Sequence, residues 1–336
     1  GNLTIESSGD DFTADIVTGT HVQLAGTALG NLIIGKTGNS STININSPIA
    51  VSDDISIYSG ELTVNNNITS NNSGSDVLFN SSNITLNAPI TSSGTSTVTI
   101  NSSGNVIDGI NGSFVGKIIS TNLLLTGNGN FYLDSTTNNV SIISAGSNAS
   151  RLGSLNFTNS NALVVGSVGS NSGIYTIGTI AISTLTGDLS ISQNINTQNT
   201  STTALILNAS QSTAAGVSSG GDLKFSGGAS ITIGANARAK LYSGSISGST
   251  GLTTITGSGS NRFRYNSDES NSNYSLSLGT GIHAIYRERP SLTIVADDKT
   301  VTYGTAPNLT TTVNGLQNGD TAAQTLSTVA SVAVDG

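Results

Sequence analysis

The stretch Thr42-Ile43-Asn44-Ile45-Asn46-Ser47-Pro48-Ile49 is followed by Leu62-Thr63-Val64-Asn65-Asn66-Asn67-Ile68 and by Ile84-Thr85-Leu86-Asn87-Ala88-Pro89-Ile90, and the three are one phrase written three times. In each copy a third apolar residue falls six positions after the first, and the copies begin 19 and 22 positions apart at Ile43, Leu62 and Ile84. A strand-turn-strand phrase recurring about every 20 residues is the mark of a solenoid, whose coils bury their apolar faces only by stacking on one another. Period two assigns the faces: Leu62 and Val64 point into the coil, Thr63 points out, Asn65-Asn66-Asn67 turns the corner and Ile68 enters the next face. Asparagine suits such a corner, because it tolerates left-handed backbone angles and its amide can bond to the coil above or below. Asn46, Asn66 and Asn87 recur near one place in the phrase, which predicts a stacked asparagine ladder.

The rhythm extends in both directions. Leu3-Thr4-Ile5, Val22-Gln23-Leu24 and Leu32-Ile33-Ile34 precede the central copies, with Gly9, Gly19, Gly26, Gly30, Gly35 and Gly38 as turns. Thr97-Val98-Thr99-Ile100, Leu123-Leu124-Leu125, Val140-Ser141-Ile142, Leu155-Asn156-Phe157, Leu189-Ser190-Ile191 with Ile195, and Ile231-Thr232-Ile233 follow with looser spacing, and no long helical period intrudes. The expected fold is all-β, a parallel β-helix over residues 1–290. At about 20 residues per coil and about 4.8 Å per strand it would hold about 14 coils over about 65 Å.

Composition agrees with a narrow coil. Aromatic residues make up 4% and charged residues 9% of the 336, so no bulky aromatic core can form, while small and β-branched residues stack well in thin layers. The hydrophobic fraction of 35% would also suit disorder, but disordered polar tracts show no Ile/Leu/Val period. The net charge of −8 is spread without acidic or basic blocks, which gives nucleic-acid binding no support. Zero Cys excludes disulfides and thiolate metal sites. No apolar run approaches the roughly 20 residues of a membrane span. Gly1-Asn2-Leu3-Thr4 has none of the marks of a signal peptide and starts in mid-phrase, as an internal piece of a longer protein would.

From residue 204 the texture changes, and residues 204–290 read as the end of the solenoid. Gly216, Gly220-Gly221 and Gly227-Gly228 thicken the turns, and Arg238, Lys240, Arg262, Arg264, Arg287, Arg289 and Lys299 gather seven of the 11 cations. Arg262, Arg264, Asp268, Glu269, Tyr286, Arg287 and Pro290 are assigned to a cap over the last open coil, whose strand edge would otherwise invite aggregation. A basic ligand patch is the competing reading, disfavoured because acids are interleaved with the bases. Beyond Pro290, residues 291–336 read as a separate β unit: Leu292-Thr293-Ile294-Val295-Ala296 as a strand, Asp297-Asp298-Lys299 as a turn, and Val301-Thr302-Tyr303-Gly304 as a second strand.

These residues carry a resemblance. The phrase Ile84-Thr85-Leu86-Asn87-Ala88-Pro89-Ile90 is similar to the haemagglutinin repeats of the large secreted exoproteins of filamentous haemagglutinin type. Leu292, Ile294, Tyr303, Gly304, Pro307, Gly315 and Asp320, within Leu292–Gly304 and the turns after it, resemble the start of an MBG module. Residues 204–290 also resemble the coil-ending region before such modules. The resemblance implies a right-handed parallel β-helix shaft with a small, partial sandwich-like unit at residues 291–336. It further implies two-partner secretion, a place outside the cell or on the bacterial surface, and work in adhesion, biofilm matrix or surface filaments. Partners would be glycans, a host or neighbouring cell surface, or further copies of the chain; no nucleic acid and no membrane insertion are expected. Neither an amino-terminal secretion domain nor a complete MBG module stands in the sequence, so the export route is inferred.

Parallel β-helices also cleave polysaccharides, which takes two or three convergent carboxylates. The nearest set is Asp53, Asp54 and Glu61 with Asp76, and adjacent Asp53 and Asp54 would face opposite sides of a strand. Glu6, Asp10, Asp11 and Asp15 lack the order of a calcium loop, and His21 and His283 lack metal-ligand neighbours. The Thr95–Thr99 run hints at an ice-binding face, but successive coils do not repeat it. The expectation is a structural protein with no catalytic, cofactor or metal site. Asn-x-Ser/Thr triplets at Asn2, Asn39, Asn67, Asn83, Asn101, Asn111 and Asn156 are counted as chance in so Asn-, Ser- and Thr-rich a chain.

Overall fold

Alternating apolar residues in successive coils have one way to leave water together, which is to line up in register and point inward. In the structure of the chain, a computed structural model, they do so throughout residues 3–286. It describes residues 1–24, 29–109, 116–259, 261–326 and 332–333. Parallel pairings join 26 strands into one continuous wrapped sheet. The long strands Ile55–Val64 and Val77–Leu86 bend across two faces of the coil, while Ile49–Val51, Ile68–Ser70 and Pro89–Ser92 stack on a third. Each coil is therefore three-sided, and its interior is a column of Ile, Leu, Val and Phe side chains almost free of solvent.

One face can be followed from end to end by its aligned inward residues: Ile16, Ile43, Leu62, Ile84, Val106, Phe131, Leu155, Ile180, Leu205, Ala239 and Ile282. The shaft thus has about 11 turns, and at about 4.8 Å per step it is about 48 Å long. The expected 14 coils over 65 Å were too many. The central coils advance by 19 to 25 residues, but the step from Leu205 to Ala239 is 34 and that from Ala239 to Ile282 is 43. The extra residues form loops, among them the short strand Phe263–Arg264, and add no further turn to this file.

Two strand assignments also shift. Val22 makes only an isolated bridge to Thr18, and the rung is laid by Ile16–Val17, whose partner is Thr42–Ile45. In the C-terminal unit Thr293–Ala296 pairs antiparallel with Thr311–Asn314, not with Val301–Tyr303. Asp297 decides this: its carboxylate accepts the hydroxyls of Thr310 (2.5 Å) and Thr312 (2.6 Å), and its N–H donates to Thr310 O. Tyr303 is left fully exposed. Among the described residues this unit is a two-stranded sheet, with no second layer of a sandwich.

Candidate functional site at the capped end of the shaft

The last rung, Gly281–Tyr286, is covered by a strand that precedes it in sequence. Phe263–Arg264 runs parallel to it on the side away from Arg238–Ser243, with Phe263 opposite Ala284 and Arg264 opposite Ile285. The chain passes beyond the end of the shaft, turns back and inserts its final rung beneath. Ala284 N–H donates to Arg262 O, Ser267 N–H to Tyr286 O and Asn266 N–H to Glu288 O, so the edge is occupied along its length. The rings of Phe263 and Tyr265 flank Tyr286 at 6.3 and 5.7 Å.

Arg287 ties the surrounding loops to this rung. It is wholly buried, and its guanidinium donates to Thr213 O (2.7 Å), Ala209 O (2.8 Å), Asn208 Oδ1 (2.6 Å) and Glu269 Oε2 (3.2 Å). Glu269 accepts the Ser212 N–H, and Asp268 accepts N–H bonds from Ala215, Ser270 and Asn271. Arg287, Glu269 and Asp268 thus clamp residues 208–216 to residues 266–273. Pro290, half-buried, lies in the link between the last rung and the C-terminal hairpin.

Arg262 and Arg264 do something different. Arg264 is buried; it donates to the carbonyls of Asn261, Phe263 and Leu276, and its guanidinium lies 5.3 Å from the Tyr274 ring centroid. Arg262 donates to Thr280 O and reaches His283 Nε2. Its guanidinium lies flat on Gly281, whose φ of +93° and missing Cβ make room for it. Burial, then the charges of Arg262 and Arg264, hold His283 down at about 4, so the imidazole stays neutral. A hollow of about 340 Å³ opens between these groups, lined by Arg262, Arg264, His283, Asn261, Ser277 and Thr280. Across Leu276 lies a second, of about 270 Å³, with Tyr265, Tyr274 and Asp320.

The C-terminal hairpin docks on the same cap. Tyr265 donates its hydroxyl to Asp320 Oδ2 (2.7 Å) and accepts from Asn318 Nδ2 (3.1 Å), while Asn318 O accepts the Gly259 N–H. Sequence reading had Asn318-Gly319-Asp320 as a turn, with Asp320 among the residues of the MBG resemblance, and did not foresee its bond to the cap. Of the remaining residues singled out there, Ile294 is 47% exposed, Leu292 and Pro307 are half-buried, Gly304 is exposed, and Gly315 has a φ of +88° against Ser291 O.

Along the shaft, the corner ladder runs through Asn65, not Asn66: Asn65 Nδ2 donates to Asn46 Oδ1 and Asn87 Nδ2 to Asn65 Oδ1, each at 2.8 Å. Asn66 stands beside it and donates to the Asn46 carbonyl. A second ladder takes up the carboxylates weighed for catalysis. The side chains of Asn2, Asn31, Asp54 and Asp76 each accept the backbone N–H one coil on, from Asn31, Asp54, Asp76 and Thr97. Asp53 accepts from Asn72, and Asp11 and Asp15 accept the N–H groups of Ser40 and Thr42. Asn39 is buried with its amide on Tyr58 O, and Asn101 donates to Asn80, so these two triplets serve the fold; Asn111, like Gly26, lies outside the described residues. A groove of about 470 Å³ runs along the elbow between two faces, walled by Tyr58, Asn80, Asn101 and Asn128 with Lys36 at one end. Among the described residues, no three His, Asp or Glu side chains gather to hold a metal ion, and no helix is long and apolar enough to cross a membrane.

No curated protein and no solved structure matches the chain. Residues 292–336, which contain Tyr303-Gly304-Thr305, match the MBG domain (YGX type), a domain of extracellular surface proteins.

Proposed function

We propose that the chain is a stalk segment of a secreted bacterial adhesin of filamentous haemagglutinin type, exported by two-partner secretion and serving adhesion or biofilm matrix. The observation that carries this reading is the junction: about 11 stacked parallel coils end in a cap, and the segment matching the MBG domain is hydrogen-bonded to that cap. Such a build supplies length and stiffness without a moving part. Its rungs are held by backbone ladders and inward aliphatic columns, while outward Ser, Thr and Asn rows meet water and glycans. The stalk works without catalysis, cofactor or metal, and the use of Asp53, Asp54 and Asp76 as acceptors between coils supports this. Glycans or a host or neighbouring cell surface are its partners, with the elbow groove as one contact. Electron microscopy of the purified chain should show separate rods about 50 Å long, by the coil spacing, and the rods should bind glycan-coated or bacterial surfaces. Compact particles, or rods that bind no surface, would count against it.

A second reading is favoured by the hairpin itself. Ile294, Val295, Val301 and Tyr303 are 45% exposed or more, and both edges of the two-stranded sheet are open among the described residues. A neighbouring copy could complete the sheet by strand addition and build a filament. Continuous fibres that persist after deletion of residues 291–336 would remove that reading.

A further inference from the structure

The three arginines at the capped end are not explained by ion pairing. The chain is acidic overall, yet Arg238, Arg262 and Arg264 all converge on residues 276–280, donating respectively to the carbonyls of Leu278 and Gly279, of Thr280, and of Leu276. Among the described residues the ion pairs are Lys224–Asp188 and Arg287–Glu269, so none of the three has a carboxylate partner. Carbonyl oxygens satisfy hydrogen bonds but leave the cationic charge uncompensated. Arg264 is buried and feels Asp320 only from the second hollow, without an ion pair, and its Nε–H has no acceptor. Arg262 is half-exposed, and among the described residues only its Nη1 has hydrogen-bond partners, which leaves Nε–H and Nη2 without one there. The hollow of about 340 Å³ between them contains no acid in its wall, and Asn261, Ser277 and Thr280 add neutral polar groups.

We propose that this hollow receives an oxyanion, the carboxylate or sulfate of an acidic saccharide, held by the guanidinium of Arg262 and the field of Arg264. A planar guanidinium with two adjacent free donors matches such a group in a fork. The saccharide body has a surface to lie on: Leu276 stands 59% exposed between the two hollows, and the Tyr274 ring faces the second. Asp320 lines only that second hollow, which sets the direction of the bound chain: anionic group toward Arg262, neutral rings toward Tyr274 and Leu276. The inference rests on the extracellular adhesive reading above and gives it a ligand class.

The test is calorimetric titration of the full 336-residue chain with oligogalacturonate and with a sulfated oligosaccharide, beside a neutral oligosaccharide, an acidic peptide and sodium sulfate. Either acidic oligosaccharide should bind, sulfate alone should compete weakly, and Arg262→Gln should weaken binding about tenfold or more, as the loss of one charge-assisted fork implies. Ser277→Asp, which places a carboxylate in the wall and leaves the arginines intact, should abolish binding with an unchanged melting temperature. Lys36→Gln, in the elbow groove, should change nothing. Absence of binding by both acidic oligosaccharides, or binding indifferent to Arg262→Gln and Ser277→Asp, overturns the proposal. Tighter binding of the acidic peptide, or sulfate binding as well as the oligosaccharides, overturns the saccharide class. The stalk reading would survive these failures if rods still bind surfaces, and would fall separately if they do not.

Discussion

Asp108 sits where an aliphatic residue belongs. The inward file Ile45, Val64, Leu86 continues into Asp108, and its carboxylate is buried in the column. Burial pushes Asp108 up to about 7, although Asn138 Nδ2 (2.9 Å) and the Ser135 N–H (3.1 Å) donate to it and pull the other way. The sign comes from linkage: with the folded value raised above the usual 3.8, the unfolded chain loses its proton first as pH rises. Stability should therefore fall as pH climbs from about 4 to about 7 and stay level above that, by an amount on the order of 4 kcal/mol at most. Asp108→Asn, which keeps one acceptor oxygen, should raise the melting temperature at pH 8 and flatten the profile between pH 5 and 8. A profile as steep as that of the parent chain would place the proton elsewhere. Asn65 gives a second test at this scale. It makes two amide–amide bonds between coils, where Asn66 donates one long bond to the Asn46 carbonyl and otherwise accepts only the adjoining Asn67 N–H, so Asn65→Leu should cost about 1–2 kcal/mol and Asn66→Leu less, read from urea midpoints.

Elements differ in how far their sequence announces them. The repeated phrase around Ile43, Leu62 and Ile84 was legible because a stacked coil needs an inward aliphatic at every second position, and that requirement recurs. The cap was legible as a change in composition but not as a topology. Phe263–Arg264 is a two-residue strand, too short to show a period, and nothing in its order reveals that it lies beyond the later Gly281–Tyr286. Asp108 was silent because its partner Asn138 stands 30 residues on, and Asn65 because three asparagines in a row leave the register open. The clamp around Arg287 is the element-scale case for energetics. Three of its four bonds go to neutral oxygens, so Arg287→Met would strand the acceptors of Asn208, Ala209 and Thr213 and cost about 3–5 kcal/mol. Glu269→Gln, which retains an acceptor at a partly exposed site, should cost about 1 kcal/mol or less. Equal losses in the two variants would mean that the ion pair, and not the neutral bonds, holds residues 208–216 in place.

At the scale of the whole molecule the question is whether shaft and terminal hairpin move as one. A shaft of parallel rungs transmits force along its axis only if the hairpin beyond the cap is fixed to it. Here the fixing passes through Tyr265, whose hydroxyl donates to Asp320 and accepts from Asn318, and through the Gly259 N–H and Ser258 hydroxyl, which donate to Asn318 O; burial together with the hydrogen bond to Asp320 raises the Tyr265 ionisation well above the ordinary tyrosine value. The hydroxyl therefore keeps its proton past the pH at which an ordinary tyrosine loses it, and the joint does not loosen through Tyr265 ionisation at neutral or mildly alkaline pH. Tyr265→Phe removes both bonds but keeps the ring against Tyr286, so the cap should stand while the turn at residues 318–320 comes free. Losing about 1.4 kcal/mol there would speed hydrogen exchange of amides 315–320 about tenfold, without change in the rungs at residues 281–286. Small-angle scattering should then show a broader distribution of maximum dimensions, because a free hairpin sweeps a cone about the link at Pro290. If exchange and dimensions both match those of the parent chain, the bonds from Gly259 N–H and the Ser258 hydroxyl to Asn318 O are sufficient, and the stiffness of the joint does not depend on Tyr265.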